Sequence, residues 1–165
     1  NSVYSGKPPH VGTAAIGEDP KPFLFSYQSV HNNVPELEAA AKGKCVTSTA
    51  PELDGLVRRV PLLFNVADTL YPSFGLDMLR TLAGSPSYSL KTGETGIEAI
   101  RVRNFPIINT DANARIWTTW NTKFRRMSAS NFLDVETKPM IAVIGVTAKV
   151  SSALVATTDG LKVPQ

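Results

Sequence analysis

The stretch Asp54-Gly55-Leu56-Val57-Arg58-Arg59-Val60-Pro61-Leu62-Leu63-Phe64 is the strongest indication of the fold. From Leu56 to Phe64, apolar residues occupy both alternating faces, which predicts a strand covered on both sides. The Asp-Gly pair predicts a turn before it. Pro61 cannot donate a hydrogen bond to a neighbouring strand, so we expect a sheet edge or a bulge at that position.

Arg58 falls on one of the apolar faces of this predicted strand. An unpaired buried charge costs several kcal/mol or more, so its guanidinium must have a partner or reach solvent. Asp54, across the turn, is the nearest candidate by sequence. We therefore expect Asp54 and Arg58 to pin the turn onto the strand.

On the C-terminal side, Ser73 is a suitable N-cap for a helix over residues 74–83 that ends at Gly84. The helical spacing of its apolar residues predicts a stripe that faces the core, made of Phe74, Met78, Leu79 and Leu82. Pro35 fits the first turn of a second helix, over residues 35–41.

Further strands are predicted at residues 23–27, 45–49, 97–102 and 115–120, and the continuously apolar run Met140–Gly145 predicts the clearest buried strand. We expect an α/β fold with a mixed sheet flanked by two or three short helices. Residues 1–21, rich in Gly, Pro and small polar residues, predict a flexible leader. Residues 22–165 would then form one domain.

The chain has 165 residues and a formal net charge of +3, which suits a single domain and is too mild an excess to indicate a nucleic-acid binder. The charge is unevenly distributed. Between Ile100 and Met127, one acidic residue stands against six basic ones: Arg101, Arg103, Arg115, Lys123, Arg125 and Arg126. This region is either a solvated basic face or a surface that attracts an anionic ligand or lipid headgroups.

Signatures of common catalytic sites are absent from the sequence. It contains no phosphate-binding Gly-x-x-x-x-Gly-Lys loop, no Gly-x-Gly-x-x-Gly and no His-Glu-x-x-His. Two histidines and the single Cys45 give no multi-residue zinc site and no internal disulfide, so we expect no cofactor and no metal. No apolar run approaches the ~20 residues of a membrane span. This scarcity of catalytic and metal-binding motifs favours a binding or interaction module over an enzyme.

Several short motifs occur together in one order. Asp54, Gly55, Arg58, Arg59, Pro61 and Leu62 fit an Asp-Gly-x-x-Arg-Arg-x-Pro-Leu run, and Tyr71-Pro72-Ser73 follows. Then come Asp111, Trp117, Ser128 and Ile144-Gly145-Val146-Thr147-Ala148. In these features residues 43–164 resemble the second CHASE family, the extracytoplasmic sensory domains attached to adenylate cyclases, histidine kinases and related signalling proteins. Glu52 replaces an Asp of the family pattern, and the chain resembles the C-terminal two-thirds of such a domain.

The resemblance implies a signal-sensing, non-catalytic periplasmic domain of an inner-membrane protein. Transmembrane helices would flank it in the parent chain, and the output would be a cytoplasmic nucleotide cyclase, or else a histidine kinase or diguanylate cyclase. Structural positions carried over from the family motifs are Asp54, Gly55, Arg58, Arg59, Pro61, Tyr71, Ser73 and Gly145.

The stimulus would be an unknown small ligand or the membrane surface. As the responsive face we expect the basic residues Arg101, Arg103, Arg115, Arg125 and Arg126. A homodimer is possible, and nucleic acid is not an expected partner. Two alternatives stay open: a periplasmic or secreted hydrolase using Ser or carboxylate chemistry, and a dimerisation module without a ligand.

Overall fold

The structure is a computed structural model that describes residues 11–49, 52–119, 123, 126–128, 130–131, 141–145, 154–156 and 162–164. It is an α/β fold with mixed sheets and short helices, as the sequence predicts. The strands are β1 (Gly12–Gly17), β2 (Phe25–Tyr27), β3 (Arg59–Pro61), β4 (Leu63–Val66), β5 (Thr69–Pro72), β6 (Ser87–Gly93), β7 (Gly96–Val102), β8 (Ile108–Asn109), β9 (Arg115–Trp117), β10 (Leu154–Ala156) and β11 (Lys162–Pro164). The α-helices are α1 (Pro35–Ala40) and α2 (Phe74–Leu82), and a 3₁₀ turn spans Lys21–Phe23.

The largest sheet has the strand order β1-β6-β7-β8, in which β1 runs parallel to β6 and the other neighbours are antiparallel. A second mixed sheet has the order β2-β4-β5, again with one parallel pair, β2 and β4. Two antiparallel pairs, β3 with β9 and β10 with β11, complete the described strands.

The predicted strand over residues 56–64 is present as two strands instead of one. Pro61 ends β3, which pairs with β9, and Leu63 begins β4, which pairs with β2 and β5. Between them the Leu62 N–H bonds the Ala114 carbonyl. The prediction of an edge at Pro61 is confirmed, because β9 is the one described neighbour of β3. Pro61 is also the last residue before the chain changes sheet, where its missing N–H removes no further ladder bond.

The prediction that this segment is covered on both faces is confirmed in β4. Leu63 and Phe64 are fully buried on opposite faces. Leu63 belongs to a main core with Leu76, Leu90 and Ile100, whereas Phe64 belongs to a smaller cluster of four buried side chains, Val46, Phe64, Val66 and Tyr71. Strand β4 therefore separates two cores.

Helix α2 begins as predicted, because the Ser73 hydroxyl accepts a hydrogen bond from the Leu76 N–H. The predicted core stripe is wrong in part. Phe74 and Leu82 are exposed, and the helix buries Leu76 together with Asp77 and Arg80. Helix α2 therefore turns the face that carries the Asp77–Arg80 ion pair toward the interior. The spacing of its apolar residues alone does not predict this orientation. Of the helices described, neither is long and apolar enough to cross a membrane.

Two other segments differ from the sequence-based expectation. Residues 12–17, inside the segment predicted to be a flexible leader, form β1 through backbone pairing with β6. Residues 141–145 were predicted as part of a buried strand, but they lie outside any strand and are exposed. No described strand pairs with them, so their apolar side chains gain no covering layer.

Candidate functional site

A network of alternating charges joins the turn before β3 to the turn before β9. In order it runs Asp54, Arg58, Glu52, Arg59, Asp111 and Arg115. The five ion pairs have N–O distances between 2.6 and 3.1 Å, and the three arginine side chains are between 16% and 26% exposed. Three guanidinium groups thus balance three carboxylates at a partly solvated position. We call these six residues the motif network.

The turn at residues 52–56 shows why the motif needs Asp and Gly. The Gly55 N–H bonds the Glu52 carbonyl, and Gly55 has a φ of 78°, which glycine adopts without strain. Asp54 accepts from the Leu56 N–H and receives two hydrogen bonds from Arg58, at 3.0 and 2.6 Å. The predicted pairing of Asp54 with Arg58 is confirmed. The bidentate geometry fixes the direction of the guanidinium as well as its charge.

Arg59 connects the two halves of the motif network. Its Nε donates to Glu52 at 2.8 Å, its NH1 donates to Asp111 at 3.1 Å, and the guanidinium carbon lies 5.4 Å from the centre of the Trp117 ring. Asp111 is 52 residues away in sequence. Replacing Arg59 would therefore remove the side-chain link between the 52–58 turn and the 111–115 turn, while the backbone pairing of β3 with β9 and each turn's own hydrogen bonds remain.

The pKa directions in the motif network follow from these contacts. Hydrogen bonds from Arg59, and then from Arg58, hold the pKa of Glu52 below its ordinary value. A hydrogen bond from Arg58, helped by the Leu56 N–H, does the same for the pKa of Asp54. The pKa of Arg58 is raised, first by its hydrogen bond with Asp54. Glu52 and Asp54 are therefore charged at neutral pH.

Asp111 organises the second turn. Its Oδ1 accepts from the backbone N–H groups of Asn113 and Arg115, while its Oδ2 accepts from the Arg115 Nε at 2.8 Å. The Asn113 side chain donates to the Phe23 carbonyl at 2.7 Å. The sequence predicted a turn at Asp111 but gave no sign that this carboxylate would be shared with Arg59, because that contact depends on the pairing of β3 with β9.

A second Arg–carboxylate pair is buried and was not predicted. Arg80 donates to Asp77 at 2.6 Å within α2, with side chains 9% and 6% exposed. The same guanidinium bonds the carbonyls of Ser85 and Lys42. It thereby ties the helix to the two segments that flank it. In the sequence, the only sign of this pair was that Asp77 and Arg80 are three residues apart on one predicted helix.

The structure describes four of the five basic residues predicted to form a ligand face. Arg101, on β7, and Arg103, just after it, are exposed. Arg115 is committed to Asp111 and lies 5.8 Å from the Phe25 ring centre. Arg126 is exposed, and Arg125 lies outside the described residues. Arg101 and Arg103 are two residues apart at the end of β7.

Three of the other motif positions contribute to the fold. Tyr71 is buried in the smaller core and Pro61 is buried at the end of β3, while Ser73 caps α2. Gly145 is exposed and outside any strand. In the described part of the chain, no group of three or more His, Cys, Asp or Glu residues is placed to hold a metal ion. Burial raises the pKa of the half-buried Cys45 thiol, with a smaller contribution from Asp77.

Comparisons with protein-family models, with curated proteins and with solved structures give no significant match for this chain.

Proposed function

We propose that this chain is an extracytoplasmic signal-sensing domain of a membrane-anchored signalling protein, and that it regulates a cytoplasmic nucleotide cyclase. The observation that carries the proposal is the motif network. It is built on Asp54, Arg58 and Arg59, the residues in which the sequence resembles the second CHASE family, and it connects two turns that are distant in sequence. Location and output are taken from that resemblance.

The motif network has the properties of an element that can adopt two arrangements. Arg58 is shared between Glu52 and Asp54, and Arg59 between Glu52 and Asp111. A partly exposed arginine that is shared between two carboxylates can leave one of them at a small cost in free energy. Water and the second carboxylate then replace the interaction that is lost. A ligand or surface that binds one arrangement more tightly would shift the population, which is the requirement for transmitting a signal.

Anionic groups are the proposed class of stimulus. Arg101 and Arg103 lie exposed at the end of β7, and no ion pair involving either is found among the described residues. Exposed guanidinium groups of this kind attract phosphate and carboxylate, including lipid headgroups. Binding to anionic vesicles at low salt, lost at high salt and lost in Arg101→Gln/Arg103→Gln, would support this choice, whereas equal binding by that variant would contradict it.

The proposed function is tested with the whole parent protein in membranes. Arg59→Gln removes the side-chain link between the two turns of the motif network, so we expect basal or stimulated cyclase output to change by several-fold. Lys91→Gln is the matched control, since it removes an exposed cation whose ion pair with Glu98 joins β6 to β7 and involves no residue of the motif network. Unchanged output in Arg59→Gln, at equal expression, would contradict the proposal, as would a parent protein without signalling output.

A further inference from the structure

The outer edge of β1 is the longest open strand edge in the described structure. Strand β1 has six residues and pairs only with β6, whereas the other outer strands of the described sheets, β2, β3, β5, β8, β9, β10 and β11, have two to four. Open edges present unpaired backbone N–H and C=O groups to any strand that can reach them. The length of β1 makes its edge the strongest pairing surface among those described.

The backbone alternation of β1 determines which groups face outward. The Gly12 N–H bonds the Pro86 carbonyl and the Glu18 N–H bonds the Thr92 carbonyl, so Gly12, Ala14 and Ile16 direct their backbone groups toward β6. Thr13 and Ala15 therefore direct theirs away from the sheet. Gly17 is not extended, with a φ of 99°, so the regular open edge is centred on Ala14.

Strand β1 lacks the features by which proteins protect an open edge. Its sequence Gly-Thr-Ala-Ala-Ile-Gly contains no charge and no proline, and Ile16 is 63% exposed. Lys, Glu or Pro at an edge normally prevents pairing with another chain. The edge is thus suited to receive a partner strand.

We propose that the partner is β1 of a second copy of this chain, paired antiparallel about a twofold axis at Ala14. In that register Thr13 of each copy faces Ala15 of the other, and their outward groups form four hydrogen bonds. The two Ala14 side chains meet at the axis, where a small residue permits close approach. The proposal is independent of the proposed function.

The composition of β1 favours a second copy as the partner. The segment Gly12–Gly17 contains no charged residue, so two copies of β1 meet without like-charge repulsion. The outward groups of Thr13 and Ala15 also lie symmetrically about Ala14, so the strand is complementary to itself in the antiparallel register. Because a twofold contact is complete with two copies, both β1 edges are paired in the dimer and no further copy can add to form a fibre.

The first test is sedimentation of the full chain over a range of concentrations. We expect the mass to rise from 17.8 kDa to twice that value. Ala15→Pro removes an outward N–H without touching the bonds to β6, so we expect association at least about tenfold weaker, with an unchanged circular dichroism spectrum. A chain that stays monomeric at every concentration would overturn the proposal, and so would an Ala15→Pro variant that folds and dimerises normally.

Disulfide capture keeps the proposal testable if Ala15→Pro fails to fold. In a Cys45→Ser background, Ala14→Cys should form a covalent dimer on mild oxidation, since facing residues of a non-hydrogen-bonded antiparallel pair have Cα atoms about 4.5 Å apart. Ile107→Cys, exposed by β8 at the opposite edge of the sheet, is the control. Equal capture through Ile107→Cys would refute the register. Capture through Ile144→Cys alone would assign the contact to the exposed run at residues 141–145 and overturn the proposal.

Discussion

The two Arg–carboxylate groups of this chain use the same side chains in opposite surroundings. In the motif network, three arginines and three carboxylates share partners at a partly solvated turn. The Asp77–Arg80 pair is enclosed within α2 and its flanking segments, with less than a tenth of either side chain exposed. One group has alternative partners and access to water, and the other has neither.

This difference assigns the two groups different roles. A buried pair whose remaining donors bond backbone carbonyls holds one arrangement, because any other would leave a charge desolvated. A shared, partly hydrated network can exchange partners at small cost. We therefore expect Asp77 and Arg80 to stabilise the fold, and the proposed function places the response to a stimulus in the motif network.

The largest expected effect is that of Asp77→Ala, which leaves the Arg80 cation buried without its carboxylate. We expect the free energy of unfolding to fall by about 3–5 kcal/mol, measured by urea denaturation. The matched control is Asp77→Leu/Arg80→Met, which removes both charges and should recover part of the loss. A single variant as stable as the double variant would show that the buried pair does not hold the helix in place.

Gly43→Ala should be the next most damaging change. A Cβ at Gly43 would overlap the Asp77 carboxylate and approach the Arg80 guanidinium, so the buried pair would have to move. Forced overlaps of this kind cost about 1–3 kcal/mol. Gly75→Ala is the control, because nothing lies within 4 Å of its Cβ and alanine favours a helix; it should be neutral or stabilising. Equal losses in the two variants would contradict the account of the buried pair.

Arg59→Met should reduce thermal stability less than either change above. It breaks the ion pairs with Glu52 and Asp111, but Arg58 and Arg115 remain to hold those carboxylates. The loss should shrink further in high salt, since partly exposed pairs are screened, whereas the loss from Asp77→Ala should persist. A salt-independent Arg59→Met effect, measured by thermal unfolding, would show that the motif network is as sequestered as the buried pair.

Acid titration gives the smallest expected effect. The pKa values of Glu52 and Asp54 are lowered in the folded chain from 4.5 and 3.8, so the unfolded chain takes up protons first. Their contribution to stability is therefore complete above about pH 4.5 and is lost as pH falls through the folded pKa values. Arg58→Met removes the hydrogen bond that contributes most to the lowered pKa of Asp54. The free energy of unfolding of this variant should therefore fall less steeply than that of the wild type as the pH is lowered. The same dependence of stability on acidic pH in the wild type and in Arg58→Met would contradict the pairing of Arg58 with Asp54.

The sequence predicted the features that depend on neighbours along the chain. The Asp54–Arg58 pair, the Ser73 cap and strand β7 all arise from contacts within a few residues, which spacing and turn chemistry record. The Arg59–Asp111 contact could not be predicted, because it requires β3 to pair with a strand more than 50 residues away. Strand β1 was missed because its order comes from backbone pairing with β6, and small side chains leave no periodic pattern.

The proposed extracytoplasmic location is the claim on which the sensory function depends, and thiol labelling of the whole parent protein tests it most directly. Leu53→Cys in a Cys45→Ser background places a single thiol of this chain at the fully exposed tip of the 52–56 turn. A membrane-impermeant maleimide should label it in intact spheroplasts as fast as after lysis. Labelling only after lysis would place the domain inside the cell and contradict the account.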